Sequence, residues 1–273
     1  MRIVMKIGGA LDGRGDRTLR AVIGAAMQDG HELVLVHGGG PEITRQLTEA
    51  GIELPFVDGL RVTTQAAMPI VLRALQQCNR ALMRALRPLA DHFVPMTDGT
   101  VVRAGDCGRG RVGEVRHVAA DAIVAVLKEG KVPLLPPYGA DDDGEFFNLN
   151  ADTTAAHIAR AVAADKLLLC TNVAGVFADF ERGKQLYDVT ASDLRRHLAA
   201  GDFSAGMIPK VQAMLFAADC DIPEVWVVDG SDEDSLLFAI GHAPTPVSSN
   251  RTQYGTRLVA LPTNAQTSAP AHG

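Results

Sequence analysis

The sequence predicts an α/β fold, a mainly parallel open sheet with helices on both faces in a three-layer sandwich. Three observations carry this. Strand-like apolar runs alternate along the chain with stretches whose apolar residues recur at three and four, the pattern of strand–helix–strand crossovers. The runs at 2–7, 32–37, 132–136, 166–171 and 225–228 are nearly continuous, as expected of strands covered on both faces. Several loops after strands are rich in glycine or asparagine, the place where open α/β sheets hold ligands.

Taken in order, Arg2–Ile7 reads as the first strand, closed by Gly8-Gly9. Lys6 stands near its end. A lysine in a short strand usually marks a solvent-facing edge, but beside a Gly-Gly pair it also faces a candidate ligand loop. A helical spacing over 18–28 leads to the strand Glu32–His37, and then to Gly38-Gly39-Gly40-Pro41. Pro41 opens a helix to about residue 50, where its preset φ costs no hydrogen bond. Glycines that end at a helix N-terminus present backbone N–H groups and a partial positive charge, which suits phosphate or carboxylate. The motif is neither G-x-G-x-x-G nor a P-loop.

A loop over 51–64 contains Gly59-Leu60-Arg61-Val62-Thr63, and 65–90 carries the longest helical pattern, with an apolar stripe from Met68 to Leu86. That stripe suits either the core or a twofold interface. Asp98-Gly99, Gly105, Gly108, Gly110 and Gly113 punctuate short β-like pieces over 93–118, which read as hairpins in a flap. A helix over 119–129 and a strand over 132–136 return the chain to the sheet. Asp141-Asp142-Asp143-Gly144 reads as a solvated hairpin tip. Asn148-Leu149-Asn150-Ala151-Asp152 opens a helix to about residue 163, with Asp152 placed to act as its cap. The strand Lys166–Thr171 ends in Asn172-Val173-Ala174-Gly175-Val176-Phe177. Helices over 191–200 and from Met207-Ile208-Pro209-Lys210 to about 219 follow. The expected organisation is a single domain over 1–260 with two lobes, about 1–165 and 166–260, sharing one sheet. The polar segment 261–273 reads as a disordered tail.

At 273 residues, 47% hydrophobic and 21% charged, the chain has the composition of a globular protein. A net charge of −6 gives a nucleic-acid partner no electrostatic support. The four cysteines form no C-x-x-C pair, so no zinc or disulfide framework is expected and no metal is assigned to side chains. The first strand begins at once, and no apolar run reaches membrane-spanning length. The expectation is a cytoplasmic protein without a membrane partner. No serine or cysteine sits in an elbow with a histidine partner, and His37 reads equally as a packing residue. Two lysines, a glycine nest and a carboxylate suit phosphoryl transfer, which needs positioning and charge neutralisation rather than a covalent residue.

The segments Lys6-Ile7-Gly8-Gly9, Val36-His37-Gly38-Gly39-Gly40-Pro41, Gly59-Leu60-Arg61-Val62-Thr63, Asn148 to Asp152 and Gly206 to Lys210 resemble, in order and over about residues 2–260, the amino acid kinase family. The resemblance implies that Lys6 and Lys210 neutralise the moving phosphoryl group while Asp152 holds them. It implies that Gly38, Gly39, Arg61, Asn148 and Asn150 meet an acyl amino acid. It further implies that Gly8, Gly9, Thr171, Asn172, Val173, Gly175, Val176, Phe177, Gly206 and Met207 hold ATP, with Mg²⁺ on the phosphates. The implied reaction is ATP-dependent phosphorylation of the γ-carboxylate of N-acetyl-L-glutamate in arginine biosynthesis. An N-blocked 2-aminoadipate in lysine biosynthesis, and a catalytically silent amino-acid sensor, are the alternatives. Asn172 stands where such kinases carry Asp, and the segment 94–98 is shorter than usual. The chain starts without the extra N-terminal helix of the arginine-inhibited hexamers, so a homodimer without arginine feedback is expected.

Overall fold

Five of the six residues of the first strand, β1 (Arg2–Ile7), are buried, so it needs neighbours on both edges and cover on both faces. The computed structural model describes residues 1–8, 14–57, 59–242 and 254–259. After β1 come α1 (Arg14–Gln28), β2 (Glu32–His37), α2 (Gly40–Glu49), the small hairpin β3 (Phe56–Val57) and β4 (Leu60–Arg61), and α3 (Met68–Ala85). Next are β5 (Phe93–Pro95), β6 (Val102–Arg109), β7 (Val112–Val118), α4 (Ala120–Lys128), β8 (Val132–Leu135), β9 (Tyr138–Ala140), β10 (Phe146–Asn148) and α5 (Ala151–Ala161). The remainder supplies β11 (Lys166–Thr171), β12 (Val176–Asp179), β13 (Lys184–Leu186), β14 (Asp188–Val189), α6 (Ala191–Ala200), α7 (Ile208–Asp219), β15 (Glu224–Asp229), α8 (Glu233–Ile240) and β16 (Thr256–Val259).

Eight strands form the main sheet in the order β14-β16-β15-β11-β1-β2-β8-β5. Its pairings are parallel except β15 with β16. The chain builds outward from β1 to one side, then returns to β11 and builds the other. The switch point therefore lies between β1 and β11, and ligands of such sheets collect at the carboxyl ends of the strands there.

Side chains alternate across each strand. Ile3, Met5 and Ile7 pack with Leu33, Leu35 and residues of α1 and α8. Val4, Val34 and Val36 pack on the opposite face with α5 and α7. Lys6 belongs to the Val4 face by the same alternation, which turns it toward α5. The α5 face that meets the strands carries Ala155, Ala156 and Ala159, small enough for a close seat, beside the larger Ile158.

The structure departs from the sequence reading at several elements. The helix expected over 65–90 ends at Ala85, and Arg87–His92 tightens into a 3-10 turn around Pro88, which has no N–H for a helical bond. The Ala85 carbonyl accepts from Arg20 Nη1 at 2.6 Å. The stripe on α3 is taken up by the chain's own core, Val71, Ala74 and Leu75 against α2 and Leu82 beneath the sheet, while Arg73, Gln76, Gln77, Arg80 and Arg84 face outward. Phe93–Pro95 is not part of a flap but an edge strand paired with β8. Strands β6 and β7 form a hairpin that turns at Gly110, one of the expected glycines, and close with β9 and β10 into a small barrel. The loop over 51–64 contains the β3–β4 hairpin, and β12–β13, α8 and β16 have no counterpart in the sequence reading. Asp141–Asp143 do form a hairpin tip, between β9 and β10. The segment 261–273 lies outside the described residues.

Leu35 is fully buried in β2, between Met5 and Leu134. Leu35→Ala should lower unfolding stability by about 2–5 kcal/mol through lost transfer energy and the cavity left behind. Urea unfolding should show a shifted midpoint with an unchanged slope.

Candidate functional site

Three charged side chains meet at the carboxyl end of β1. Lys6 Nζ lies 3.0 Å from Asp152 Oδ1, and Lys210 Nζ donates to Asp152 Oδ2 at 3.0 Å. The side chains of Lys6, Asp152 and Lys210 are only 8%, 6% and 14% exposed. Each comes from a different element. Asp152 stands in the first turn of α5, and Lys210 in the first turn of α7, where Pro209 helps start the helix. A lysine there opposes the helix dipole, a cost that the facing carboxylate offsets.

Asp152 is not the helix cap that the sequence suggested. Asn150 caps α5, its Oδ1 accepting from the Thr153 amide at 3.0 Å, which frees Asp152 to point at the lysines. Burial pushes the Asp152 carboxyl up, but the attraction of Lys6 and Lys210 outweighs it and holds the group below the ordinary aspartate range. Two cations share one anion, so the cluster carries an excess positive charge in a largely buried site. It is built to receive another anion.

The cleft beside it measures about 200 Å³ and is lined by Lys6, Gly8, Gly38 to Gly40, Arg61, Asn148, Asn150 and Asp152 among others. Gly8 is required by close approach, because a Cβ there would stand 2.6 Å from Lys6 Nζ and 2.7 Å from the Cys170 carbonyl. The triple glycine is less open than a bare nest. The Gly38 amide donates to the Ile7 carbonyl at 2.8 Å, and a Cβ on Gly39 would meet Leu75 at 2.5 Å, so part of this glycine run serves chain packing. First-turn amides of α2, such as those of Gly40 and Glu42, have no acceptor within the helix.

Arg61 reaches the cleft from β4, with Nη2 donating to Thr44 Oγ1 at 2.6 Å and its guanidinium 4.4 Å above the Phe56 ring. Asn148 reaches it from β10, with Nδ2 donating to Thr63 Oγ1 at 3.1 Å. His37 is buried, which pushes its pKa down to about 4, and Nδ1 lies 2.8 Å from the Gly38 carbonyl. It is a neutral packing residue at pH 7. Burial likewise pushes the Cys170 thiol up to about 12.

A second hollow, of about 310 Å³, is lined by Phe177 to Glu181, Asp202, Ser204 and Met207. It gathers Phe177 and Met207 from the residues assigned to the nucleotide. Thr171, Asn172, Val173, Gly175, Val176 and Gly206 line neither cavity. Val176 is fully buried and its amide donates to Thr256 Oγ1 at 2.8 Å, so it shapes this loop from beneath. Gly9 lies outside the described residues. Asp179, Asp202 and Ser204 carry no motif that would have marked them from sequence.

Residues 1–229 match the amino acid kinase family. The chain is 36% identical to the acetylglutamate kinase of Desulforamulus reducens over 216 residues, 76% of this chain and 75% of that one. It is 35% identical to the acetylglutamate kinase of Geobacillus stearothermophilus over 237 residues, 84% and 90% of the two chains. A solved structure from Streptococcus mutans UA159 superposes with a TM-score of 0.79 at 29% identity, covering 95% of this chain and 98% of that one.

Asp152→Asn should cost about 3–5 kcal/mol of unfolding stability near pH 7, because it leaves two buried lysines without a counter-charge. A depressed carboxyl contributes its full stability above the unfolded value of about 3.9 and loses it as pH falls through the lower folded value. The gap between wild type and Asp152→Asn in urea titrations should therefore be widest at neutral pH and shrink on acidification below about pH 4.

Proposed function

The chain belongs to the amino acid kinase family, and from that premise we propose that it transfers the γ-phosphoryl group of ATP to the side-chain carboxylate of N-acetyl-L-glutamate, a step of arginine biosynthesis. The observation that carries this reading is the largely buried Lys6–Asp152–Lys210 cluster, with its excess positive charge, at the edge of a cleft that also holds Arg61 and Asn148.

The acceptor carboxylate has an ordinary pKa of about 4.3 and is already ionised at neutral pH. No base has to remove a proton from it, which accords with a cleft that no histidine lines among the described residues, the nearby His37 being buried and engaged with its own loop. A carboxylate oxygen forms a bond to the γ-phosphorus, the bond to the β,γ-bridging oxygen breaks, and ADP leaves with the electron pair. Negative charge spreads over the moving group, and Lys6 and Lys210 neutralise it from positions that Asp152 has organised beforehand. Arg61 offers a planar fork to the α-carboxylate, and Gly38 and Gly39 let backbone approach the substrate. The nucleotide lies toward Phe177 and Met207, in the half from about residue 166 onward, with the acyl amino acid in the half before it.

Mg²⁺ accompanies the phosphates in this reading. Both Asp152 oxygens face lysines, and no group of three or more His, Cys, Asp or Glu suited to a metal occurs among the described residues. With both Asp152 oxygens engaged, the cleft residues do not fit a protein-held ion. The assembly we propose is a homodimer, the commonest soluble symmetry.

An ATP-consumption assay across N-acetylglutamate, N-acetylaminoadipate, glutamate and aspartate tests the substrate, and N-acetylglutamate should give the highest kcat/KM. Lys6→Met and Lys210→Met should each lower kcat by on the order of 10² or more, and near-normal turnover in both would overturn the reading. Arg61→Lys keeps the charge but loses the fork, so it should raise KM for acetylglutamate by roughly tenfold while KM for ATP moves less. An unchanged KM would remove Arg61 from the substrate site.

A further inference from the structure

Thr63 is fully buried, yet its hydroxyl joins two of the groups assigned above to the acyl amino acid. Oγ1 donates to the Arg61 carbonyl at 3.0 Å and accepts from Asn148 Nδ2 at 3.1 Å. A hydroxyl has one proton to give. With that proton on the Arg61 carbonyl, which can only accept, Oγ1 meets Asn148 as an acceptor and selects the amide nitrogen. The carbonyl oxygen of Asn148 is then left for the cleft that Asn148 lines. The Thr63 backbone is fastened as well. Its carbonyl accepts from the Arg111 amide at 2.6 Å, and the Arg111 carbonyl accepts from the Asn148 amide at 2.9 Å. Gly110 has φ +70°, and a Cβ there would stand 2.6 Å from the same Thr63 carbonyl, so the barrel hairpin closes directly on this residue.

We propose that Thr63 is a positioning residue that sets the Asn148 amide with its oxygen toward the cleft, so that the site selects an amino acid bringing an N–H donor to that point. The proposal rests on the acyl amino acid reading. An N-acylated amino acid supplies that donor, whereas an ester such as 2-acetoxyglutarate offers only acceptors. Without the hydroxyl, the amide is free to turn over and the preference between the two fades.

Thr63→Val keeps the shape and removes the hydroxyl, and Thr63→Ser keeps the hydroxyl. The free proteins are compared first, by the NMR signals of the Asn148 side-chain amide, assigned with Asn148→Asp. Wild type and Thr63→Ser should share one Asn148 position, and Thr63→Val should shift it and speed its proton exchange. In steady-state assays, Thr63→Val should raise KM for acetylglutamate by roughly tenfold, with KM for ATP within about twofold and Thr63→Ser close to wild type. The wild-type preference for the amide over the ester should fall by a similar factor in Thr63→Val. A merely structural role would lower the active fraction and leave this preference intact. An Asn148 signal unchanged in Thr63→Val, or a Thr63→Ser as impaired as Thr63→Val, would overturn the proposal. Wild-type inactivity toward acetylglutamate would remove the proposed substrate, while the Asn148 signals still judge the Thr63 lock.

Discussion

A carboxylate buried between two lysines constrains everything around it. A buried carboxylate is costly unless cations reach it, and Lys6 and Lys210 both do. Lys6 is delivered by the alternation of β1, Asp152 by the first turn of α5, and Lys210 by the first turn of α7. Those three elements must therefore keep their mutual positions for both ion pairs to form. The alanine-rich face of α5 and the continuous core beneath it provide that rigidity. The same arrangement leaves one positive charge in excess, which turns a structural knot into a receptor for anions.

The walls of the cleft are set by close contacts rather than by bulk. Gly8 lets Lys6 Nζ and the Cys170 carbonyl pass, Gly39 lets α3 approach, and Gly110 lets the barrel hairpin meet Thr63. Each position brings together segments far apart in the chain, so this side of the cleft is a junction of the glycine loop, the β3–β4 hairpin and the small barrel. The chain is acidic overall, with a net charge of −6. Attraction for an anionic ligand is thus local to the lysine cluster and to Arg61, where burial strengthens it.

Much of this was legible beforehand, where the signal is local. Strands buried on both faces announce themselves as unbroken apolar runs, and β1, β2 and β11 have the expected bounds. Glycine after a strand and proline at a helix start are equally local, and the loop before α2 and the start of α7 follow them. Asn150 and Asp152 show the limit. Both are good capping residues two positions apart, and sequence alone does not say which one caps. The choice falls to Asn150 because two lysines from other elements need the carboxylate.

The alternation of elements, the loops at strand ends and the residue types available for anion chemistry could be read from the chain alone, because each depends on neighbours a few positions away, and the parallel sheet was inferred from that alternation. The packing of the layers settled that Lys6 is buried rather than on an edge, that the apolar face of α3 packs within the chain, and that 93–118 divides between the sheet edge and a barrel. It alone brought the Thr63 hydroxyl to Asn148, 85 residues along the chain. Such pairings are set by the packing of whole layers. A hydrogen bond or ion pair between distant segments leaves no periodicity in the chain from which it can be read.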